Sequence, residues 1–232
     1  MCKNIIKEVD FDNYTDEYEQ LLDKRVSFFN RSMEYFAQYK IMRLARSLKK
    51  HPSHVLDFGC GIGLSFPYLA KAFPNACIYG TDISKKSLKI AQEKYPFVSI
   101  LHTLKDYEGH FDCIFVAGVF HHICPGKRAG VMQSIYRLIK PKGTLCIFEH
   151  NPFNPITRKI VSGCPYDKGV VLLSPSQLQK TIEDTSLRVI KKSYCLFFPQ
   201  QLSLLRFFEV YLRWLPLGGQ YFLIAQKEEC IN

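Results

Sequence analysis

The segment Val55-Leu56-Asp57-Phe58-Gly59-Cys60-Gly61-Ile62-Gly63 constrains this chain more than any other. A short apolar strand runs straight into glycines at alternate positions, and a helical pattern begins at Ser65. That spacing lets the backbone turn sharply out of a strand and lets a ligand lie against it with no Cβ in the way. A dinucleotide-binding loop needs G-x-G-x-x-G. Counted from Gly59 and Gly61, its third glycine would fall at Leu64, so a nicotinamide-binding reading loses its main support.

Around this segment the pattern alternates. Short apolar runs at 55–58, 76–80, 98–101, 112–118 and 144–149 predict strands, and 65–72, 85–94 and 127–139 predict helices between them. Strands separated by helices imply βαβ units, hence a parallel sheet covered on both faces. Apolar residues at helical spacing over 15–50 predict two helices ahead of the sheet. Past Glu149 the rhythm changes, and 151–174, with Pro152, Pro155 and Pro165, reads as an inserted loop lying over the site. Ser174-Pro175 opens a further helix to about Asp184, with Ser174 as N-cap. Runs at 187–198 and 221–226 give two last strands, separated by an apolar helical stretch over 202–215.

Composition bounds the class. The chain has 232 residues, 47% of them hydrophobic, which suits one sizeable core and excludes disorder. No uncharged run reaches the ~18 apolar residues of a spanning helix. Residues 1–13 mix both charge signs and hold no apolar core, so no secretory leader is expected. The nine cysteines contain no CxxC pair and are irregularly spaced, arguing against a cysteine zinc site or a disulfide framework and for reduced thiols in a cytoplasmic protein. No metal ligand set is read from the sequence. The net charge of +10 invites an anionic partner. Lys plus Arg exceed Asp plus Glu by 10 to 8 in residues 1–54, 11 to 7 in 55–150 and 10 to 6 in 151–232, so the surplus forms no basic arm and does not favour nucleic acid.

The residues that carry chemistry fall at predicted C-terminal strand ends, where open α/β sheets bind ligands. Asp82, in Tyr79-Gly80-Thr81-Asp82-Ile83-Ser84, stands where such sheets hold a ribose, and its carboxylate can accept from both hydroxyls. Asp57 lies on the first turn, where it can pair with an ammonium group. Alternatively each acid is a helix cap or turn residue. His121, His122 and His150 also lie at strand ends, and imidazole suits proton transfer near neutral pH. His121-His122 reads either as a structural pair, one ring on a ligand and one capping a turn, or as a source of the proton acceptor. His150 is the other catalytic candidate, with Glu149 either orienting it or bonding the loop that follows.

Taken in order, VLDFGCGIG (55–63), YGTDIS (79–84), FDCIFVAGVFHHI (111–123) and IKPKGTLCIFEH (139–150) resemble the class I S-adenosylmethionine-dependent methyltransferases. The likeness covers about residues 40–149. The tail, from EHNPFNP (149–155) through CPYD (164–167) to WLPLGGQY (214–221), is similar to a bacterial, type 11/12-like subgroup. The resemblance implies a Rossmann-like, doubly wound α/β sheet of seven strands, order 3-2-1-4-5-7-6 with the last strand antiparallel. It implies S-adenosyl-L-methionine as cofactor, with Gly59, Cys60, Gly61 and Gly63 under its methionine part. Asp82 would hold the ribose, supported by Ser84, with Ile83 packed on adenine. Thr103 and Leu104 stand at the adenine edge, in LHTLK (101–105), where the family often has an acid followed by a small residue. Ala117, Gly118 and His122 would lie along the fourth strand's end.

The domain is then single, 1–232, with N-terminal helices over 1–52 and insertions at 151–174 and 199–219 forming a lid on the acceptor side. Asn151, Asn154 and Arg158 are candidate acceptor contacts, Arg158 through its planar fork; alternatively they satisfy backbone groups of a proline-rich loop. On a helix over 202–215, Arg206, Glu209 and Arg213 gather on one side and leave a broad apolar arc, which is either packed on the core or a dimer partner, or meets a membrane surface or hydrophobic acceptor. The expected function is methyl transfer to a small-molecule or lipid-linked acceptor. The alternatives are an RNA methyltransferase, or a cofactor-binding protein that has lost catalysis.

Overall fold

The computed structural model describes residues 26–164, 167, 169–198 and 200–229. Residues 1–25, with the first part of the expected N-terminal helices, lie outside them, as do Pro165 and Tyr166 of the CPYD run. The strands are β1 (His54–Phe58), β2 (Cys77–Thr81), β3 (Ser99–Ile100), β4 (Phe111–Ala117), β5 (Ile139–His150), β6 (Leu187–Cys195) and β7 (Gln220–Lys227). They form one sheet of order β3-β2-β1-β4-β5-β7-β6. β7 runs antiparallel to both β5 and β6, and the pairs among β1 to β5 are parallel. The α/β class, strand order and reversed last strand therefore agree with the sequence reading.

Alternation along the buried strands sends neighbouring residues to opposite faces. Val55, Cys113, Phe115 and Cys146 pack with α1 (Val26–Ala45), α2 (Phe66–Ala72) and α3 (Lys85–Lys94), against Ile41, Leu44, Phe66, Leu69 and Leu88. Leu56, Ile114 and Leu145 pack on the other face with α4 (Arg128–Leu138) and α6 (Pro175–Glu183), against Met132, Ile135, Leu178 and Ile182. Each such aliphatic side chain contributes about 2 kcal/mol by leaving water. α6 starts where Ser174-Pro175 predicts. Ser174 Oγ accepts from Gln177 N, and the Gln177 side chain accepts from Ser174 N, a reciprocal cap.

Two elements differ from expectation. The inserted stretch is not all loop: α5 (Pro155–Gly163) begins at Asn154, whose Oδ1 accepts from Thr157 N at 2.9 Å, with Pro155 at the first helical position. The stretch over 202–215 is not one α-helix. It is a kinked 3₁₀ segment (Gln200–Phe208) followed by a short α7 (Glu209–Leu212). Its charged side faces inward. The fully buried carboxylate of Glu209 accepts from Arg43 Nη2 at 2.6 Å and from Tyr39 Oη at 2.5 Å, and Phe197 N donates to it at 3.0 Å. Arg206 lies over the rings of Tyr35 and Tyr39. Removing one member of a buried, hydrogen-bonded ion pair leaves the other charge uncompensated. Glu209→Ala should therefore lower unfolding free energy by about 3 kcal/mol, read as a shift in urea midpoint at unchanged slope.

Candidate functional site

A cavity of about 790 Å³ opens at the C-terminal ends of β1, β2, β4 and β5, within the size range of small-molecule sites. Its floor is the glycine turn after β1. Gly59, Gly61 and Gly63 have φ of 79°, 53° and 80°. A Cβ on Gly59 would strike the Val119 side chain, and the space beside Gly61, which lines the cavity, is open. The turn is tied to β2 through Asp82, whose Oδ2 accepts from Gly61 N at 2.8 Å and whose Oδ1 accepts from Ser84 N at 2.9 Å. Ser84 in turn caps α3 by accepting from Ser87 N.

The cavity brings together Asp57, Gly59, Cys60, Gly61, Asp82, Ile83, Leu104, Ala117, Gly118, His122 and His150. Gly63 shapes the turn instead, donating from its amide to Cys60 O, and Thr103 is an exposed neighbour that accepts from Lys105 N. No described residue of the 151–174 insertion lines the cavity. Asn151 spends its side-chain amide on Pro216 O and Gly218 O, and Asn154 donates to Leu217 O, while Arg158 is exposed on α5. The wall that sequence reasoning missed is α1, which contributes Met33, Phe36, Ala37 and Lys40. Their spacing of three, four and seven residues is one helical face, so the signal was present as periodicity but not as a site.

Burial sets the charge of these groups. Asp57 is 2% exposed, and desolvation pushes its carboxyl up to about 7 despite the hydroxyl donated by Ser65, with the nearby Asp82 charge adding to the rise. Burial also lowers the Lys40 ammonium. Beside the cavity stands a histidine and carboxylate cluster. Glu149 Oε1 accepts from Val119 N at 3.1 Å and Phe120 N at 2.7 Å, while its Oε2 lies 2.6 Å from His121 Nδ1. Burial opposes charge on His121, but Glu149 and Asp167 outweigh it and hold the imidazolium up to about 9. Burial and the charge on His121 then press His122 and His150 down to about 4, so both rings are neutral at pH 7. His121 and Glu149 sit behind the cavity wall, whereas His122 and His150 face the cavity.

The residues present fit a cationic nucleoside. Two acids, the open space at Gly61 and the exposed apolar Ile83 supply acceptors, room and a stacking surface. A methyltransferase-domain family model matches residues 55–143. A demethylmenaquinone methyltransferase of Thermotoga maritima is 32% identical over 158 residues, 66% of each chain. The cyclopropane-fatty-acyl-phospholipid synthase of Escherichia coli K12 is 30% identical over 116 residues, 48% of this chain and 30% of that one. This chain thus spans just under two thirds of the first relative and under a third of the second. Among solved structures, a SAM-dependent methyltransferase from Archaeoglobus fulgidus shares the fold at TM-score 0.65 and 19% identity, over 88% of this chain and 100% of that one. The chain belongs to the class I S-adenosylmethionine-dependent methyltransferases.

The raised carboxyl of Asp57 has a consequence for the ligand-free chain. Between about pH 4 and 7 the folded form holds a proton that the unfolded form releases, so this stabilising contribution is complete below about 4 and is lost as pH rises through about 7. Asp57→Asn keeps the shape and removes the titration. Its urea midpoint should gain on that of the native chain as pH rises from 5 to 8, and a pH-independent difference between the two would refute the assignment.

Proposed function

We propose that this chain transfers a methyl group from S-adenosylmethionine to a small-molecule or lipid-linked acceptor. The observation that carries the reading is one cavity joining the glycine turn and Asp82 to His150 and the apolar face of α1. Asp82 would hold the ribose hydroxyls, and Ser84 fixes its orientation through the backbone bond already described. Ile83 would cover adenine, with Thr103 and Leu104 at its edge. Gly59, Cys60 and Gly61 would lie along the methionine part, whose ammonium Asp57 would face, while Ala117, Gly118 and His122 close the remaining side. Bound cofactor supplies a methyl group already activated by its sulfonium. The chain's own work is to align the acceptor, exclude water and, for an oxygen or nitrogen acceptor, take a proton. His150, neutral and facing the cavity, is suited to take it. His121 and Glu149 act from behind as positioning groups.

The lipid-linked side of the reading rests on an inverted amphipathic segment. With Arg206 and Glu209 turned inward, the apolar side chains of 202–217 point outward. Leu204 is 86% exposed and Trp214 76%, and Phe207 and Tyr211 stand beside them. Ile156 and Ile160 of α5 are exposed as well, together with Arg158 and Lys159. The loops carrying the two groups are tied by the Asn151, Asn154 and Thr157 bonds to 216–219. Apolar and aromatic residues flanked by cations suit an anionic membrane surface, and the relatives above are named for demethylmenaquinone and for a fatty-acyl phospholipid. Among the described residues no helix is long and apolar enough to cross a membrane. A cytoplasmic placement is supported by the free thiols of the seven described cysteines.

Two measurements test the proposal. Asp82→Ala should weaken S-adenosylmethionine binding at least about tenfold by calorimetry, and His150→Ala should lower turnover far more than cofactor affinity. Turnover is followed as labelled methyl entering lipid, small-molecule or RNA fractions. Label confined to RNA would overturn the acceptor class. Separately, the full chain should sediment with anionic phospholipid vesicles, and the paired substitutions Leu204→Asp and Trp214→Asp should weaken that binding at least about tenfold without changing cofactor affinity. Undiminished sedimentation would remove the membrane surface.

A further inference from the structure

The histidine and carboxylate cluster at the cavity wall has a geometry that proton transfer does not account for. His121 Nε2 and His122 Nε2 both turn toward Asp167 Oδ1, at 3.5 and 3.4 Å. The three ligand-type atoms lie within 4.8 Å of one another. A good N–H···O bond is about 2.9 Å long, so these separations sit at the long limit of hydrogen bonding. The two histidine-to-carboxylate separations match the spacing of ligands around one ion: bonds of roughly 2.0–2.2 Å at tetrahedral angles place neighbouring ligand atoms about 3.3–3.5 Å apart. The surroundings are also those of a built site. Glu149, held by the Val119 and Phe120 amides, lies 2.6 Å from His121 Nδ1 and keeps a proton there, so an ion takes the place of the Nε2 proton that the ion-free imidazolium holds, and that proton is released to solvent. A carboxylate behind a ligating histidine fixes its tautomer and raises its basicity as a ligand.

We propose that His121, His122 and Asp167 bind one divalent first-row cation of the zinc class, with Glu149 as the positioning carboxylate of His121. Two imidazoles and one carboxylate are a common donor set for such ions, and three protein ligands leave a coordination position open. His122 lines the cavity, so that position faces it. An oxygen of the acceptor, a hydroxyl or carboxylate, would occupy it. This use of the ion rests on the acceptor reading above, whereas the binding site itself does not. The set escaped the sequence reading because its members come from a loop after β4 and from the insertion, 45 residues further on between His122 and Asp167.

The test uses the full chain stripped with a chelator and titrated with Co²⁺ alone, with Zn²⁺ as competitor. One cobalt per chain is expected, with visible ligand-field bands and no thiolate charge-transfer band. Asp167→Asn should weaken cobalt binding at least about tenfold while S-adenosylmethionine affinity, measured by calorimetry, stays unchanged. His122→Gln should weaken it too, which guards against a folding defect in one variant. Absence of saturable cobalt binding, a thiolate band marking a cysteine site, or unaltered binding in both variants would overturn the inference. Because the titration contains no cofactor or acceptor, its failure leaves the methyl-transfer reading standing, and loss of cofactor binding in Asp82→Ala leaves this site standing.

Discussion

The buried carboxylate of Glu149 is the joint on which the active end of the sheet is assembled. It is the penultimate residue of β5, beside β4, and its two oxygens take the amides of Val119 and Phe120 and the ring of His121. A charged group so deep costs several kcal/mol to desolvate and is tolerated only when fully bonded. Here the bonding fixes the backbone after β4 at the point where it must pass the glycine turn, because Val119 is also the side chain that fills the space a Cβ on Gly59 would take. One ionised group thereby couples the glycine turn, the histidine pair and the end of β5.

The 200–212 stretch is governed by a different constraint, the direction in which an amphipathic segment faces. Burying Arg206 and Glu209 against Tyr35, Tyr39 and Arg43 is the opposite of the usual arrangement, in which such a segment turns its leucines and phenylalanines to the core. Exposed apolar surface of this extent is uncommon on a soluble monomer, which is the physical ground for the membrane-surface proposal. The buried charge of Glu209 is tolerated because its carboxylate is fully bonded, receiving an arginine, a tyrosine hydroxyl and a backbone amide, while Arg206 lies over the Tyr35 and Tyr39 rings.

Much of this was legible in the sequence, for local reasons. The glycine turn, the Asp82 strand end and the Ser174-Pro175 helix start are short-range patterns whose backbone consequences do not depend on distant residues. Asn154-Pro155 has the same grammar, an N-cap followed by proline, yet the prolines around it suggested a loop, and α5 was missed. Asn151 and Asn154 were candidates for acceptor binding because a polar side chain carries no sign of its partner; the structure gives them to carbonyls of 216–218, more than sixty residues away. The same limit hid the inward turn of Glu209, whose partners on α1 lie 166 and 170 residues distant. Periodicity marked Met33 and Phe36 as apolar helix positions but not which neighbour they would meet.

These two halves are mechanically connected. α1 presents Met33, Phe36, Ala37 and Lys40 to the cavity and, on the same turns, Tyr39 and Arg43 to Glu209. A helix is stiff along its axis, and a buried carboxylate with three donors is firmly held, so the segment carrying the exposed apolar residues is anchored to the cavity wall. One helix thereby serves both as a wall of the cavity and as the hold on the segment that carries the exposed apolar residues.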